Sequence, residues 1–337
     1  MKFRKVFLVP ILLIFLVIIA ATGSFFWWKN NSQPVSTDKE TKDFVVAKGR
    51  GATQIAQELY KQGLIRSPLA FKFYIQFKGK AEDIQAGRYS LTESAAIPEI
   101  VTLLTKGPKD LWVTVPEGLR HEEIAERFIQ GLGKEGEEAE EFRQEFISAS
   151  KSSEGYLFPD TYLFPREANA SMVISSMRDT FDKKTKDIKS TATSKLNWNQ
   201  IVTLASIIER ETKIGEERSI VAGILMNRLN IGMALQADAA VQYAVSNAKC
   251  QILNAKCNDW WPILTLEDLQ IDSPFNTYKY QGLPPSPISN PGLSSIEAAV
   301  KPADTEYIYY IHDPEGNIHY AKTLAEHNEN VRKYLGK

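Results

Sequence analysis

Apolar residues along this chain change their spacing several times, and each change predicts an element. From Val6 to Ala21 every side chain is apolar, and no charge occurs between Val6 and Trp28. A helix of that length reaches across a hydrocarbon core of ~30 Å. Lys2, Arg4 and Lys5 precede the run, and Trp27 and Trp28 stand where an interfacial aromatic belt falls. The positive-inside rule then predicts a single-pass anchor in the plasma (inner) membrane, N-terminus cytoplasmic, with everything after Lys29 extracytoplasmic. A cleaved signal peptide is the competing reading, although its apolar region would be unusually long and Ala20, Ala21 and Gly23 give only a weak cleavage signal. Asn30 to Asp43 is polar and reads as a spacer.

At Phe44 the texture changes. Phe44-Val45-Val46 predicts a short strand, Lys48 to Gly51 a turn, and Thr53 a cap for a helix with Ile55, Ala56, Leu59 and Tyr60 that stops at Gly63. Pro68 opens a second helix carrying Leu69, Phe71, Phe73, Tyr74 and Phe77, ended by Gly79. Gln85 to Leu91 alternates as a strand, and a helix follows from Ile97 to Thr105. Farther on, Leu111 to Val115 predicts a strand and His121 to about Gly131 a helix. The Glu-rich run from Glu135 to Glu145 reads as a solvated helix face. Glu154 to Tyr162 breaks the helical pattern with aromatics and a Pro-Asp turn; its rings suit either sugar faces or a core plug. Met172 to about Thr185, Ile220 to Leu229 and Ile296 to Val300 predict helices, Tyr307 to Ile311 a strand, and a last helix reaches Leu335. Between Pro274 and Gly292, Pro and Gly restrict a long loop with few large apolar residues, a pattern of function more than of connection.

The stretch from Ile201 to Thr212 carries the most chemistry. Ile201, Leu204, Ala205 and Ile208 recur at i, i+3, i+4 and i+7, which marks one buried helix face. Glu211 continues that stripe, whereas Glu209 lies about 200° around the helix and points elsewhere. A carboxyl on an apolar face is poorly solvated, so its pKa rises, as a general acid working near neutral pH requires. The plainer reading is an amphipathic helix with two solvated terminal glutamates.

Composition narrows the remaining chemistry. Charges nearly cancel, 40 basic against 41 acidic residues, so no bulk field marks nucleic acid as a partner. Cys250 and Cys257 fit either a local disulfide or two free thiols, with no Cys or His neighbour to complete a metal site. His121, His312, His319 and His327 lack metal-site spacing, so neither metal nor cofactor is expected. Ser148-Ala-Ser-Lys151 fits a Ser-x-x-Lys pattern but sits in a polar stretch without partner motifs. Gly-x-Ser-x-Gly and His-Glu-x-x-His are absent from the sequence.

Two resemblances follow from motifs. Val46-x-x-Gly49 followed by Ile55-Ala56-x-x-Leu59 resembles the LysM module, which implies binding of glycans containing N-acetylglucosamine; a spacer domain is the other reading. Glu154-Gly-Tyr-Leu-Phe-Pro-Asp-Thr-Tyr162, Ala205-Ser-Ile-Ile-Glu-Arg-Glu211, Asn227-Arg-Leu229 and Leu235-Gln-x-Asp238 resemble the YceG (MltG) family of endolytic murein transglycosylases. Ser273-Pro-Phe-Asn-Thr-Tyr278, Gly282-Leu-Pro-Pro285, Asn290-Pro-Gly292 and Glu326-His-Asn328 extend the match, in order, over essentially the whole chain. The resemblance implies an α+β fold with a single N-terminal transmembrane helix (1–28), a linker (29–43), a small β-α-α-β LysM-like module (44–107) and a larger α+β catalytic domain (108–337). It implies a lyase that cuts nascent peptidoglycan strands between N-acetylmuramic acid and N-acetylglucosamine without water, leaving 1,6-anhydro-muramyl ends.

The family's essential glutamate corresponds to Glu211, the residue that the helical face also selects. Gln236, Asp238, Asn276 and Tyr278 are candidates for positioning sugar hydroxyls or the developing charge, with capping or turn hydrogen bonds as their alternative. Glycan strands are the expected partner, cell-wall synthases are candidate partners, and no cofactor, metal or nucleic acid is expected. Ala239-Ala240 replaces the usual Pro-Thr, Ser286 replaces a usual Gly, and Lys249 to Trp261 looks like a local insertion whose Trp260 and Trp261 either pack over it or stack on glycan. Two other classes stay open: a catalytically silent glycan-binding scaffold, and a hydrolytic muramidase pairing Glu211 with Asp238.

Overall fold

The computed structural model describes residues 3–108, 110–191, 195–212, 214–253 and 259–336, with side chains described for all of these but 3–14, 191 and 251–253. Helix α1 runs Phe3–Asn31. The expected membrane anchor is overturned: among the described residues no helix is long and apolar enough to cross a membrane. The positions from Val6 to Ile14, and Lys2 before them, on which that expectation leaned, lie outside the described side chains. The single-pass placement in the plasma membrane, with a cytoplasmic N-terminus and an extracytoplasmic catalytic domain, falls with the anchor.

Two compact units divide the chain, one of Met1–Val113 with Leu163–Glu167, the other of Thr114–Tyr162 with Ala168–Lys337. The first unit holds β1 (Thr41–Val46), α2 (Ala52–Lys61), α3 (Pro68–Phe77), β2 (Gly87–Thr92), α4 (Ile97–Lys106) and β3 (Asp110–Thr114), and its sheet has the order β1-β2-β3-β4 with β4 at Thr161–Pro165. β1 and β2 are antiparallel, with Phe44 opposite Tyr89. Alternation along β1 turns Phe44 and Val46 inward onto Leu59, Phe71, Ile75 and Ile100. Two details differ from the sequence pattern. β1 begins at Thr41, inside the polar spacer, and α2 is capped at Gly51 rather than Thr53. Pro68 does open α3, with the Ser67 hydroxyl accepting from the Ala70 amide.

The second unit starts with α5 (His121–Leu132) and α6 (Gly136–Ser150), whose Phe128, Phe142 and Phe146 rings pack together. The Glu-rich run is thus solvated on one side only, because Ala139, Phe142 and Phe146 are buried on the other. α7 (Ala170–Thr191), α8 (Trp198–Glu211), α9 (Arg218–Asn230), α10 (Asp238–Leu253) and α11 (Leu293–Val300) follow, then the hairpin β5 (Tyr309–His312) and β6 (Ile318–Ala321), and finally α12 (Leu324–Leu335). α8 is the centre of this unit. Asn197 caps it reciprocally with Gln200, at 3.0 and 2.9 Å. Every residue from Ile201 to Ile208 is buried, among Leu225, Leu235, Ala240, Ile296 and Ala299. The buried surface is therefore wider than the single face that the spacing predicts.

Candidate active site

Glu211 is the last residue of α8, and Thr212 after it is extended. The helix thereby delivers one carboxyl from the core to a cleft of about 380 Å³. Arg228 of α9, Gln236, Asp238 at the start of α10, and Tyr278 line the same cleft, as do Tyr309, Tyr310 and His312 of β5 and His327 of α12. The Tyr310 hydroxyl donates to Glu211 Oε2 at 2.8 Å. The backbone N–H of Ala239, in the first turn of α10, donates to the same carboxyl. Burial pushes the Glu211 carboxyl above the ordinary value; the Tyr310 bond opposes it, the Asp238 charge adds to it, Ala239 and Arg228 pull back, and the net direction is up.

Glu209, two residues earlier, meets a different fate. Its side chain is 6% exposed and forms an ion pair with Arg218 at 2.9 Å. Its other oxygen accepts from the Gly292 amide at 3.0 Å. Glu209 is thus neither solvated nor in the cleft; it ties α8 to α9 and to the start of α11.

The four candidate binding residues separate into two groups. Asp238 and Gln236 are exposed at the cleft, and Asp238 accepts from the Tyr278 hydroxyl at 2.6 Å. Burial first, then the bond and charge of Asp238, push the Tyr278 phenol well above its ordinary value, so it remains a donor. Gln236 is the one non-glycine with a positive φ among the described residues, at 50°, a conformation that costs an L-residue about 1 kcal/mol. Asn276 does not line the cleft. It is fully buried, its amide donates to the carbonyls of Leu269 and Ile271 at 2.9 Å, and its oxygen accepts from the amides of Tyr278 and Lys279. Its work is to fix the turn that presents Tyr278.

Sequence reasoning passed over Tyr310, Asn227 and Arg228. The Asn227 amide donates to the carbonyls of Thr305 and Tyr307, at 2.7 and 3.1 Å. Arg228 Nε donates to the Ile308 carbonyl at 2.7 Å, and Nη1 to that of Leu235. Together they pin the backbone entering β5, and Arg228 also holds the residue before Gln236. The Asn-Arg pair was visible in the sequence. Its role was not, because the partner carbonyls just ahead of β5 lie 78 to 80 residues away.

A second polar cluster lies in the core of the same unit. His121 Nδ1 meets Glu154 Oε2 at 2.6 Å, Glu154 Oε1 accepts from the Asn290 amide at 2.6 Å, and Glu122 takes two bonds from Arg120. Potential ligand atoms of His121, Glu122 and Glu154 all lie within 4.8 Å of one another, but each group is engaged by a protein partner. Trp261 donates to Glu123 at 3.0 Å and faces the Arg210 guanidinium at 3.7 Å, and Trp260 faces Arg120 at 4.8 Å. Both tryptophans thus pack onto the domain. Cys250 is disulfide-bonded, and Cys257 lies outside the described residues.

A carboxyl whose burial raises its pKa above the ordinary value, beside phenols and a buried arginine in an open cleft, is the equipment of an acid–base catalyst on a hydroxyl-rich substrate. The chain belongs to the YceG-like family, whose model matches residues 44–333. It is 33% identical over 332 residues to the endolytic murein transglycosylase of Bacillus subtilis (strain 168), covering 91% of this chain and 89% of that protein. Over 336 residues it is 31% identical to the endolytic murein transglycosylase of Streptococcus pneumoniae serotype 2 (strain D39), covering 88% of this chain and 60% of that protein. The crystal structure of a putative yceG-like protein, lmo1499 from Listeria monocytogenes, superposes with a TM-score of 0.55 at 29% identity, covering 87% of this chain and 99% of that one.

Proposed function

We infer that this chain is an endolytic peptidoglycan lytic transglycosylase, a lyase that cleaves glycan strands between N-acetylmuramic acid and N-acetylglucosamine and leaves 1,6-anhydro-muramyl ends. The observation that carries this reading is the Glu211 carboxyl, raised above its ordinary value at the cleft, in a chain whose relatives are named for that activity. Glu211 protonates the glycosidic oxygen as the bond to the muramyl anomeric carbon breaks. The resulting carboxylate takes the proton of the muramyl C6 hydroxyl as that oxygen closes on the same carbon, so Glu211 ends protonated again. An internal nucleophile needs no second carboxylate to activate water, and its fixed position replaces the entropy of recruiting one. Asp238 is committed to the Tyr278 hydroxyl, which suits a positioning role better than that of a second base. Gln236 and Tyr278 hold sugar hydroxyls beside it.

In the first unit, a groove of about 360 Å³ lined by Asp43, Arg50, Gln54, Glu58 and Gln62 supports glycan binding by the LysM-like module.

Digestion of uncrosslinked glycan strands, with products resolved by mass, tests the reading. Glu211→Gln should stop release of anhydro ends while the protein stays folded, and Glu209→Gln should still release them. Reducing ends from the parent chain, or full turnover by Glu211→Gln, would refute it.

A further inference from the structure

We propose that Tyr310 is a positioning residue for Glu211: its hydroxyl, set by the Asn227 and Arg228 pins on the entry to β5, fixes which carboxyl oxygen carries the proton. The inference rests on Glu211 being the acid and base. Tyr310 donates to Oε2 at 2.8 Å, and an oxygen already receiving an O–H is a poor seat for the carboxyl proton. The Tyr310 bond therefore biases the transferable proton toward Oε1, and the Ala239 N–H, which donates to the same carboxyl, stays in place when Tyr310 is changed. Burial, then the Glu211 charge, push the Tyr310 phenol well above its ordinary value, so it donates throughout the working range.

Its backbone is held by bonds that do not involve Glu211. Tyr307 and Ile308 present their carbonyls to Asn227 and Arg228, and Tyr310 pairs with Tyr320 across the hairpin. The phenol thus arrives at Glu211 already oriented, which is what a positioning group requires.

The same bond changes strength during the reaction. Toward the neutral acid it is an ordinary hydrogen bond; toward the carboxylate left after proton donation it is charge-assisted and roughly twice as strong. Such an interaction raises kcat rather than lowering KM. Other groups facing Glu211 act on its charge and stay in place when Tyr310 is changed. Arg228 favours the carboxylate and Asp238 the acid. Tyr278 is committed to Asp238, and His312 lies 3.6 Å from Glu217. His327, whose own pKa burial and Arg228 depress, faces the Tyr309 ring.

Tyr310→Phe keeps the ring and removes only the donor. Its kcat on uncrosslinked glycan should fall about tenfold with KM within about twofold. The carboxylate loses a donor, so the Glu211 pKa rises and the alkaline limb of the kcat–pH profile moves up by about one unit. A residue that only supported the fold would lower the amplitude and leave the limb in place. The carboxyl carbon of Glu211, assigned by its loss in Glu211→Gln, reports the same pKa by NMR titration without reference to activity. An unmoved titration in Tyr310→Phe overturns the proposal, even where Glu211→Gln is inactive and the acid–base reading stands. A titration that moves while Glu211→Gln remains active keeps the hydrogen-bond role and removes the catalytic one.

Discussion

Asn290 is the residue whose loss should reach farthest through the catalytic unit. It is 1% exposed, and its side chain joins three chain segments. Nδ2 donates to the Leu119 carbonyl at 3.0 Å and to Glu154 Oε1 at 2.6 Å; Oδ1 accepts from the Gly155 and Leu157 amides, each at 2.9 Å. In Asn290→Ala the Leu119 carbonyl keeps a partner, because the Asn290 backbone amide also donates to it. Two buried amides and one oxygen of a buried glutamate do not. An orphaned buried group costs about 1–3 kcal/mol. Losses at one network are not additive, so we expect about 4 kcal/mol, a large part of the 5–15 kcal/mol that typically holds a domain. With a urea m-value of about 3 kcal/mol/M, the midpoint falls by about 1.3 M. Hydrogen exchange gives the sharper reading, as the amides of Gly155 and Leu157 should lose protection ahead of their neighbours. Asn290→Asp keeps the acceptor but turns an oxygen toward Glu154, so it should be at least as damaging at pH 7 and recover as the medium is acidified. A midpoint within about 0.3 M of the parent (~1 kcal/mol), with Gly155 and Leu157 exchange unchanged, would refute this account of the network.

Three further substitutions separate packing from charge. At Gly155, with φ at +87°, an added Cβ meets Pro287 Cβ and Cγ at 2.5 Å and Val202 Cγ1 at 2.9 Å, so Gly155→Ala should cost about 3 kcal/mol by thermal unfolding. Gly49→Ala, at nearly the same φ but with nothing within 4 Å, should cost only about 1 kcal/mol, and equal losses at both would contradict the packing argument. Burial lowers the His121 pKa, but the charge and hydrogen bond of Glu154, with Glu122, outweigh it and the net is raised above 6.5. The stability held in that pair is therefore complete below pH 6.5 and is lost as pH rises through the folded value. Urea midpoints between pH 6 and 9 should slope downward in the parent chain and flatten in His121→Gln; parallel curves would show that His121 does not titrate in that window.

Local signals made most elements legible. Pro68 and the glycines after helices act within a turn of themselves, and the Ile201 to Ile208 spacing is local too, so α3 and α8 follow from their neighbours alone. Period-3.6 spacing placed Glu211 on the buried stripe, and the structure puts it at the cleft with Gln236, Asp238 and Tyr278. What stayed hidden depends on partners distant in sequence. Burial of Glu209 could not be read because its cation, Arg218, belongs to another helix. Asn276 looked like a cleft residue because a polar side chain in a Pro-rich loop gives no hint that it faces inward to carbonyls. Tyr310 read only as part of a strand, since the pins that aim it at Glu211 come from α9. The anchor expected from the N-terminal apolar run is not supported, because among the described residues no helix is long and apolar enough to cross a membrane.

The two glutamates at the end of α8 show how one helix carries both a strut and the proposed acid. They are two residues apart, and both side chains are removed from bulk water. Their surroundings decide between them. Glu209 is given a guanidinium and a backbone amide, which commit both its oxygens to holding α9 and α11 to the core. Glu211 is given a phenol, an amide and a neighbouring anion, Asp238, with the cation Arg228 also bonded to two carbonyls. That set supports either charge state without locking one in. The proposed reaction asks Glu211 to release a proton and recover it within one turnover, and the end of α8, where the buried run Ile201 to Ile208 gives way to the cleft, suits that demand.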